Sequence, residues 1–296
     1  MQSFAQLAPV FLGSSPYASV NGVKHALYWL LHRTRVRRVL ERVSLAKNLY
    51  DGWRRPHPFD REFGTDTSGV VSLADLRRET PGDQFREDSM HQYSGSQPSI
   101  VRRALQSLPD MTGFTFVDQG CGKGRPLLVA SEFPFREIIG VDLSEGLLKI
   151  ARSNADAIRQ RFPGRTPITL AQGLAHHLIP ENDRVVFFQY NSFLHSGVIE
   201  FLRRLEDKLA NPASDVFFVY YNPVCGDLFD NSPKLSRWFA ASLPYDRAEL
   251  GFGPDIEDSV VIWQGVPNRR PARPGAHRRI IVVDPRYRAD VEKSAS

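Results

Sequence analysis

Cysteine is scarce in this sequence, and long apolar runs are absent from it. The chain contains two cysteines, Cys121 and Cys225, which are too few for a disulfide framework. We therefore expect a reducing, cytoplasmic location. No run of about 18 apolar residues occurs, which argues against a membrane-spanning helix. The first apolar patch has no basic residues before it, so we expect no secretory signal peptide.

The composition that is present is typical of a globular protein. Apolar residues make up 42% of the 296 residues and charged residues 24%, which is enough apolar material for a large core. This length corresponds to one large domain with an addition. The formal net charge of +5 modestly favours acidic partners such as nucleic acid or an anionic membrane surface, and it does not select among them.

Residues 1–57 are predicted to form an N-terminal helical extension. Apolar residues recur at roughly helical spacing over residues 23–48, with five arginines between Arg33 and Arg42. One interpretation is a basic amphipathic helix for peripheral membrane contact or nucleic acid. The other, which we favour, is a helix that caps the domain and keeps its arginines in water.

Residues 51–98 are rich in glycine, proline, aspartate, serine and arginine. This composition predicts a loop-heavy segment that leads into the main domain. Long loops of this kind often carry function, as a lid or as a segment that faces the substrate. Partial disorder is the alternative.

Strands and helices alternate from about residue 99 onwards, which predicts an α/β fold with a mostly parallel sheet. Two late strands with no helix between them predict an antiparallel end to the sheet. The predicted strands are 114–118, 137–142, 168–171, 184–190, 216–221, 258–263 and 278–283, and the predicted helices are 99–108, 124–132, 145–161, 198–209 and 234–242.

A glycine-rich loop follows the first predicted strand of this region. The stretch VDQGCGKGRP places Gly120, Gly122 and Gly124 directly before a helix, where glycines let the backbone turn tightly and approach a ligand. Such a loop lies at the carboxyl ends of parallel strands, where ligands bind. The spacing G-x-G-x-G differs from the dinucleotide pattern G-x-G-x-x-G, whose third glycine would fall at Arg125.

With Asp118 in front, the pattern D-x-G-x-G-x-G resembles motif I of class I S-adenosylmethionine-dependent methyltransferases. Asp142 follows 24 residues later at the end of the next strand, as in the next motif of that family, and a carboxylate there suits a ribose cis-diol. Residues 59–265 share this resemblance, which extends to uncharacterised bacterial methyltransferases through FDREFGTDTSG, YSGSQPSIVRRAL and FFQYNSF, and distantly to protein-lysine methyltransferases.

The resemblance implies a Rossmann-like, doubly wound seven-stranded sheet over residues 58–296, with six parallel strands and one antiparallel strand at the C-terminal end. It also implies S-adenosylmethionine as the cofactor. One departure stands out, because Leu174 occupies the place where many family members carry an acid near the adenine. The residues that the resemblance assigns to the cofactor are Asp118, Gly120, Cys121, Gly122, Gly124, Asp142, Leu143, Gln172, Gly173 and Leu174.

The resemblance places the methyl-transfer face after the fourth strand and assigns catalytic positions to Asn191 and Tyr93. Asn191 can orient an acceptor, although it cannot act as a general base; His195 is the alternative base. Tyr190 and Phe193 belong to the same stretch; a place in the core is the alternative for both, and we favour it for Phe193. Tyr220 and Tyr221, at the end of strand five, are candidates for a second pocket wall, which favours an amine acceptor slightly through cation–π contact.

His176, His177 and Glu181 form the one cluster that hints at a metal ion. Adjacent histidines are expected to point apart, and no further ligand has the spacing of a metal site. We therefore predict no metal. Cys121 is expected to contribute its backbone to the glycine loop, since no partner base is in view.

The predicted function is methyl transfer from S-adenosylmethionine to an unidentified acceptor, with protein lysine or a small-molecule amine slightly favoured and RNA less so. Two other classes stay open. The first is a non-catalytic module that keeps the cofactor fold as a scaffold, which the missing acid at Leu174 permits. The second is a nicotinamide-dependent oxidoreductase, against which the glycine spacing argues.

Overall fold

The computed structural model describes residues 55–79, 92–253 and 256–277. The helix predicted over residues 23–48 and the strand predicted over residues 278–283 lie outside this part of the chain. Within it, none of the helices combines the length and apolar character that crossing a membrane requires.

Nine strands and seven α-helices are numbered below in chain order over the described residues. The strands are β1 (Val70–Val71), β2 (Tyr93–Ser94), β3 (Thr115–Gln119), β4 (Glu137–Asp142), β5 (Ile168–Gln172), β6 (Arg184–Gln189), β7 (Asp215–Tyr221), β8 (Leu235–Pro244) and β9 (Glu257–Gly265). The helices are α1 (Pro58–Phe63), α2 (Leu73–Glu79), α3 (Pro98–Gln106), α4 (Arg125–Ala130), α5 (Glu145–Arg161), α6 (His195–Lys208) and α7 (Gly226–Asp230).

The main sheet has seven strands in the order β5-β4-β3-β6-β7-β9-β8. Neighbours from β5 to β7 are parallel, while β9 is antiparallel to both β7 and β8. Six strands thus run one way and one runs against them, which confirms the predicted fold. The order reverses between β3 and β6, so the carboxyl end of β3 is the expected position of a ligand cleft.

The helix predicted over residues 234–242 is wrong, because this segment is strand β8. It pairs with β9 from Leu235 opposite Gly265 to Pro244 opposite Glu257. A register shift between Arg237 and Phe239 interrupts the two-residue alternation that identifies a strand, as a bulge does. The antiparallel pair that the sequence assigned to the last two predicted strands is therefore formed by β8 and β9.

Apolar side chains fill both faces of the sheet, as expected for parallel strands covered on two sides. One face packs against α3, α4 and α5, with Ile100, Leu128 and Leu148 in contact with the strands. The opposite face packs against α6 and α7 through Phe201 and Phe229. Because helices cover both faces of the sheet, the ends of its strands are held in fixed positions.

Candidate active site

The glycine loop between β3 and α4 adopts a backbone that other residues avoid. Gly120, Gly122 and Gly124 have φ angles of 79°, 52° and 85°, all in the left-handed region that glycine enters without steric penalty. A Cβ atom on Gly120 would collide with Ser192, and one on Gly122 with the ring of Tyr93. The motif therefore permits both the turn and the close approach of two walls of a cleft.

Two buried carboxylates lie beside this loop. Asp142 accepts hydrogen bonds from the backbone N–H of Gly122 to Oδ2 (2.8 Å) and of Ser144 to Oδ1 (2.9 Å). The Oδ2 atom of Asp118 has no hydrogen-bond partner among the described residues. Burial, and next the charge of Asp142, raise the pKa of Asp118 well above its usual value. Burial also raises the pKa of Asp142, against the opposing effect of its backbone hydrogen bonds.

A cleft of about 600 Å³, including space open to solvent, lies at the carboxyl ends of β3, β4 and β6. Both predicted catalytic residues, Asn191 and Tyr93, line it. The other lining residues are Leu76, Gln92, Ser94, Gly95, Ser96, Asp118, Gly120, Cys121, Gly122, Arg125, Pro126, Asp142, Leu147, Phe188, Tyr190 and Ser192.

Half of the residues predicted to bind the cofactor line this cleft, and the other half do not. Gly124 caps α4, and a Cβ atom there would approach Ala151 at 3.3 Å. The Nε2 atom of Gln172 donates to the carbonyl oxygen of Leu143 at 3.2 Å. The residues that line the cleft are Asp118, Gly120, Cys121, Gly122 and Asp142, and those that do not are Gly124, Leu143, Gln172, Gly173 and Leu174.

The adenine side, as the family resemblance assigns it, is apolar. Leu76, Leu143 and Leu147 form a small buried cluster, and Leu174 packs against it. Leu76 and Leu147 also line the cleft. Sequence reasoning missed both, because Leu147 is one apolar residue in a long helix and Leu76 comes from the lead-in segment.

In the part that the structure describes, the lead-in segment contains α1, α2 and the β1–β2 ribbon, and it is therefore less loop-like than predicted. Arg125, at the start of α4, donates to Thr67 Oγ1 (2.7 Å), to the Thr67 carbonyl (2.8 Å) and to the Ser96 carbonyl (2.8 Å). The Tyr93 hydroxyl donates to the same Thr67 carbonyl at 2.7 Å. Asp60 accepts from both N–H and Oγ1 of Thr67. These contacts make the segment a fixed outer wall of the cleft.

Two asparagines turn the chain at neighbouring strand ends. Asn191 follows β6 with a φ of 46°, and Asn222 follows β7 with a φ of 49°. Asparagine tolerates this left-handed region better than most residues. The turn at Asn191 places that residue in the cleft, whereas His195, the alternative base, begins α6 and lines neither this cleft nor the cavity beside it.

A second cavity of about 410 Å³, again including open space, adjoins the cleft. Tyr190 and Arg125 line both. The rings of Tyr190 and Tyr221 stack with centroids 4.3 Å apart and planes inclined by 20°. Asp258 lines the cavity and accepts hydrogen bonds from the hydroxyls of Tyr221 and Tyr245, each at 2.5 Å.

Of the two positions left open for Tyr190, the transfer face and the core, the structure agrees with the first, because its ring borders both cavities. Phe193 is buried in the core, as predicted, with 1% of its surface exposed. Tyr221 lines the second cavity, but Tyr220 is buried on the opposite face of the sheet. Successive residues of a strand point to opposite faces, so only one of the two tyrosines can face the cavity.

Packing determines the surroundings of Cys121 and of the pair His176 and His177. Burial, and next Asp142, raise the pKa of the Cys121 thiol well above its usual value, which keeps it protonated and poorly nucleophilic. The prediction that His176 and His177 point apart is wrong, because their ring centroids are 4.5 Å apart. Their common partner is Glu200 rather than Glu181.

Comparison with known proteins gives a family match for the middle of the chain. Residues 117–210 match the family model described as a methyltransferase domain. The matched region contains the glycine loop, Asp142 and Asn191. No curated protein matches the sequence.

Solved structures with a similar arrangement include TrmN from Thermus thermophilus, at 20% identity and a TM-score of 0.42, with 57% of this chain and 49% of that one covered. This chain thus spans about half the length of that protein. Ribosomal protein L11 methylase from Lactobacillus delbrueckii subsp. bulgaricus matches at 15% identity and 0.38, covering 55% and 76%. An RNA methyltransferase from Salinibacter ruber, in complex with S-adenosylhomocysteine, matches at 21% identity and 0.36, covering 59% and 94%.

Proposed function

We propose that this chain transfers a methyl group from S-adenosylmethionine to the nitrogen of an amine. The chain carries a class I S-adenosylmethionine-dependent methyltransferase domain. The observation that carries the proposal is the second cavity, which adjoins the cofactor cleft and combines the stacked rings of Tyr190 and Tyr221 with the carboxylate of Asp258.

Two carboxylates in the cleft, those of Asp142 and Asp118, are suited to binding S-adenosylmethionine. Each oxygen of Asp142 accepts one backbone N–H, which leaves each one further acceptor position for a ribose hydroxyl. The unpaired Oδ2 atom of Asp118 supports a role in binding a cationic group, such as the amino group of the methionine part. Leu76 and Leu147 offer an apolar contact to the adenine, in place of the acid that is usual at Leu174.

S-adenosylmethionine supplies an electrophilic methyl group on a sulfonium. The amine nitrogen provides the electron pair for the new bond, the carbon–sulfur bond breaks, and the amine proton goes to solvent. Much of such a reaction depends on placing the reacting atoms in line. Asn191 and Tyr93, which both line the cleft, are proposed to orient the acceptor and to limit access of water.

The second cavity suits an amine for two physical reasons. Aromatic faces attract cations through their quadrupole, and the ring of Tyr190, which stacks on the buried ring of Tyr221, borders both the cleft and the second cavity. Asp258 accepts from Tyr221 and Tyr245, and also from Asn222 Nδ2 at 3.0 Å, as an ionised carboxylate does. Its charge favours a positively charged acceptor on entry, before that acceptor loses a proton and reacts.

Tyr221 is a positioning group in this proposal and not the base. Burial, and next the charge of Asp258, raise the pKa of its hydroxyl well above the usual value. The hydroxyl therefore stays protonated near neutral pH and donates to Asp258. Loss of that hydrogen bond frees the ring to move relative to Tyr190.

Binding of the cofactor is tested first, by calorimetric titration with S-adenosylmethionine and S-adenosylhomocysteine. We expect binding that is lost in Asp142→Ala and retained in Asp156→Asn, a substitution on the exposed side of α5. The absence of binding by the folded wild-type protein would refute the cofactor assignment, independently of any acceptor.

The acceptor is tested by transfer of a labelled methyl group to three sets of substrates: primary and secondary amines, lysine-containing peptides, and total RNA. We expect transfer to a member of one of the first two sets. We expect Asp258→Asn and Tyr221→Phe to raise the KM for that acceptor about tenfold or more, which corresponds to about 1.4 kcal/mol, with cofactor affinity unchanged.

Tyr245→Phe is a milder variant at the same carboxylate, should Asp258→Asn fail to fold, and Asp156→Asn again serves as the control. Transfer to RNA alone, or to none of the three sets by protein that binds the cofactor, would refute the amine as acceptor.

A further inference from the structure

Three side chains converge at a place that borders neither cavity. His176 and His177 belong to one 3₁₀ turn, Ala175–His177, that follows β5, and Glu200 lies in α6. The Nε2 atom of His176 is 3.4 Å from Glu200 Oε2, and the Nε2 atom of His177 is 3.0 Å from Glu200 Oε1. One ligand atom from each residue lies within 4.8 Å of the others.

We propose that His176, His177 and Glu200 bind a Zn²⁺ ion or a similar divalent transition metal. Tetrahedral zinc holds nitrogen and oxygen ligands at about 2.1 Å, which places neighbouring ligand atoms roughly 3.4 Å apart. The two histidine-to-carboxylate distances, 3.4 Å to Oε2 and 3.0 Å to Oε1, are of this size, and the three ligand atoms all lie within 4.8 Å of one another. Calcium and magnesium prefer oxygen ligands, so two imidazoles exclude them as the main occupants.

The turn geometry makes this convergence unusual. Successive residues of a 3₁₀ helix are separated by about 120°, so adjacent side chains diverge. The rings of His176 and His177 instead meet edge to face, with planes inclined by 84°. The Nε2 atoms of both rings contact the carboxylate of Glu200.

Neighbouring groups hold the ligands in this orientation. The ring of Phe193 meets His176 edge to face, with centroids 5.4 Å apart. Arg204 Nη2 donates to Glu200 Oε1 at 2.9 Å, which directs the other oxygen towards His176. Hydrogen-bonded carboxylates of this kind are typical of the surroundings of metal ligands. A plain His–Glu–Arg ion cluster is the competing explanation.

The site is open on one side. The side chains of His177 and Glu200 are 42% and 37% exposed, which gives an ion a path of entry and leaves space for water as the fourth ligand. A bound ion would connect the turn after β5 to α6, the helix that follows Asn191. We therefore expect it to stabilise both segments without taking part in methyl transfer.

The test is calorimetric titration of untagged, chelator-treated protein with ZnCl₂ and NiCl₂, together with thermal unfolding. We expect one equivalent to bind and to raise the Tm. The affinity is expected to fall about 100-fold or more in His177→Ala and in Glu200→Gln, since even residues around metal ligands contribute 10- to 100-fold. His277→Ala, at an exposed histidine elsewhere, is expected to bind as the wild type does.

Both ligand variants change partly exposed side chains, so the fold is expected to survive, and circular dichroism checks this. Glu200→Gln also keeps an oxygen for Arg204. Absence of stoichiometric binding by the wild type, or equal affinity in His177→Ala and His277→Ala, would overturn the metal site and leave the ion cluster as the explanation.

Discussion

Replacement of Arg125 by leucine should detach the outer wall of the cleft. The Arg125 side chain is 4% exposed, as is that of Asp60, and the two lie 3.9 Å apart. Three of its N–H groups donate to Thr67 and Ser96. In Arg125→Leu, Thr67 Oγ1 and the Ser96 carbonyl lose this donor inside the protein, and Asp60 loses its nearby cation. Among the described residues, the Thr67 carbonyl then keeps only the hydroxyl of Tyr93 as a donor.

The magnitude follows from this burial. Breaking a buried charge pair by removing one partner costs about 3–5 kcal/mol. We take about 4 kcal/mol as the expected loss in free energy of unfolding, which lowers the Tm of a domain of this size by roughly 10 °C. Because the wall supplies Tyr93 to the cleft, we also expect cofactor affinity to fall about tenfold or more.

Urea unfolding, thermal unfolding and cofactor titration measure these effects. Arg102→Leu is the matched control, because Arg102 makes two hydrogen bonds to Glu132 (2.7 and 2.8 Å) but is 31% exposed. Partly exposed pairs contribute about 1 kcal/mol or less. A loss in Arg125→Leu within about 1 kcal/mol of the control would refute the reasoning.

Three further predictions concern the same region. In Gly122→Ala the φ of 52° costs about 1–2 kcal/mol and the new methyl group collides with Tyr93; titration should detect weaker cofactor binding, and unchanged affinity would contradict the close-approach argument. Asp142→Asn should weaken S-adenosylmethionine binding more than it changes the Tm, and the reverse order would make Asp142 a structural residue. Burial, and next Arg125, lower the pKa of His57 from 6.5 to about 4, so the unfolded chain takes up the proton first and stability is lost as the pH falls from 6.5 to about 4. Over this pH range, the free energy of unfolding of His57→Gln, measured in urea, should fall by about 3 kcal/mol less than that of the wild type. Equal pH slopes in the two proteins would disprove this role of His57.

The elements that sequence alone predicts are those determined by local chemistry. Gly120, Gly122 and Gly124 are predictable because only glycine suits three left-handed positions in five residues. Strand β8 is not, because the shift beside Arg237 removes the alternation on which strand prediction depends. Strand β8 is anchored by a hydrogen bond from the Trp238 indole N–H to the Ser107 carbonyl oxygen at 3.0 Å, and these two residues are 131 positions apart in the sequence.

The outer wall of the cleft depends on similar long-range contacts. In the sequence, Arg125 is notable only as the position where a dinucleotide motif would have glycine. Its partner Thr67 lies 58 positions away, and no local pattern connects the two. The second cavity was half predicted, since Tyr221 was proposed as a wall, while Asp258 had no signal beyond its place at the start of a strand.

The strand order also affects how the chain folds during synthesis. Among the described strands, β8 joins the sheet only through β9, and β9 also pairs with one edge of β7. A growing chain that has not yet produced residues 257–265 therefore exposes the edge of β7, whose sequence DVFFVYY is almost entirely apolar. Exposed apolar strand edges promote aggregation. Fragments that end before Glu257 should thus be far less soluble than fragments that extend beyond Gly265.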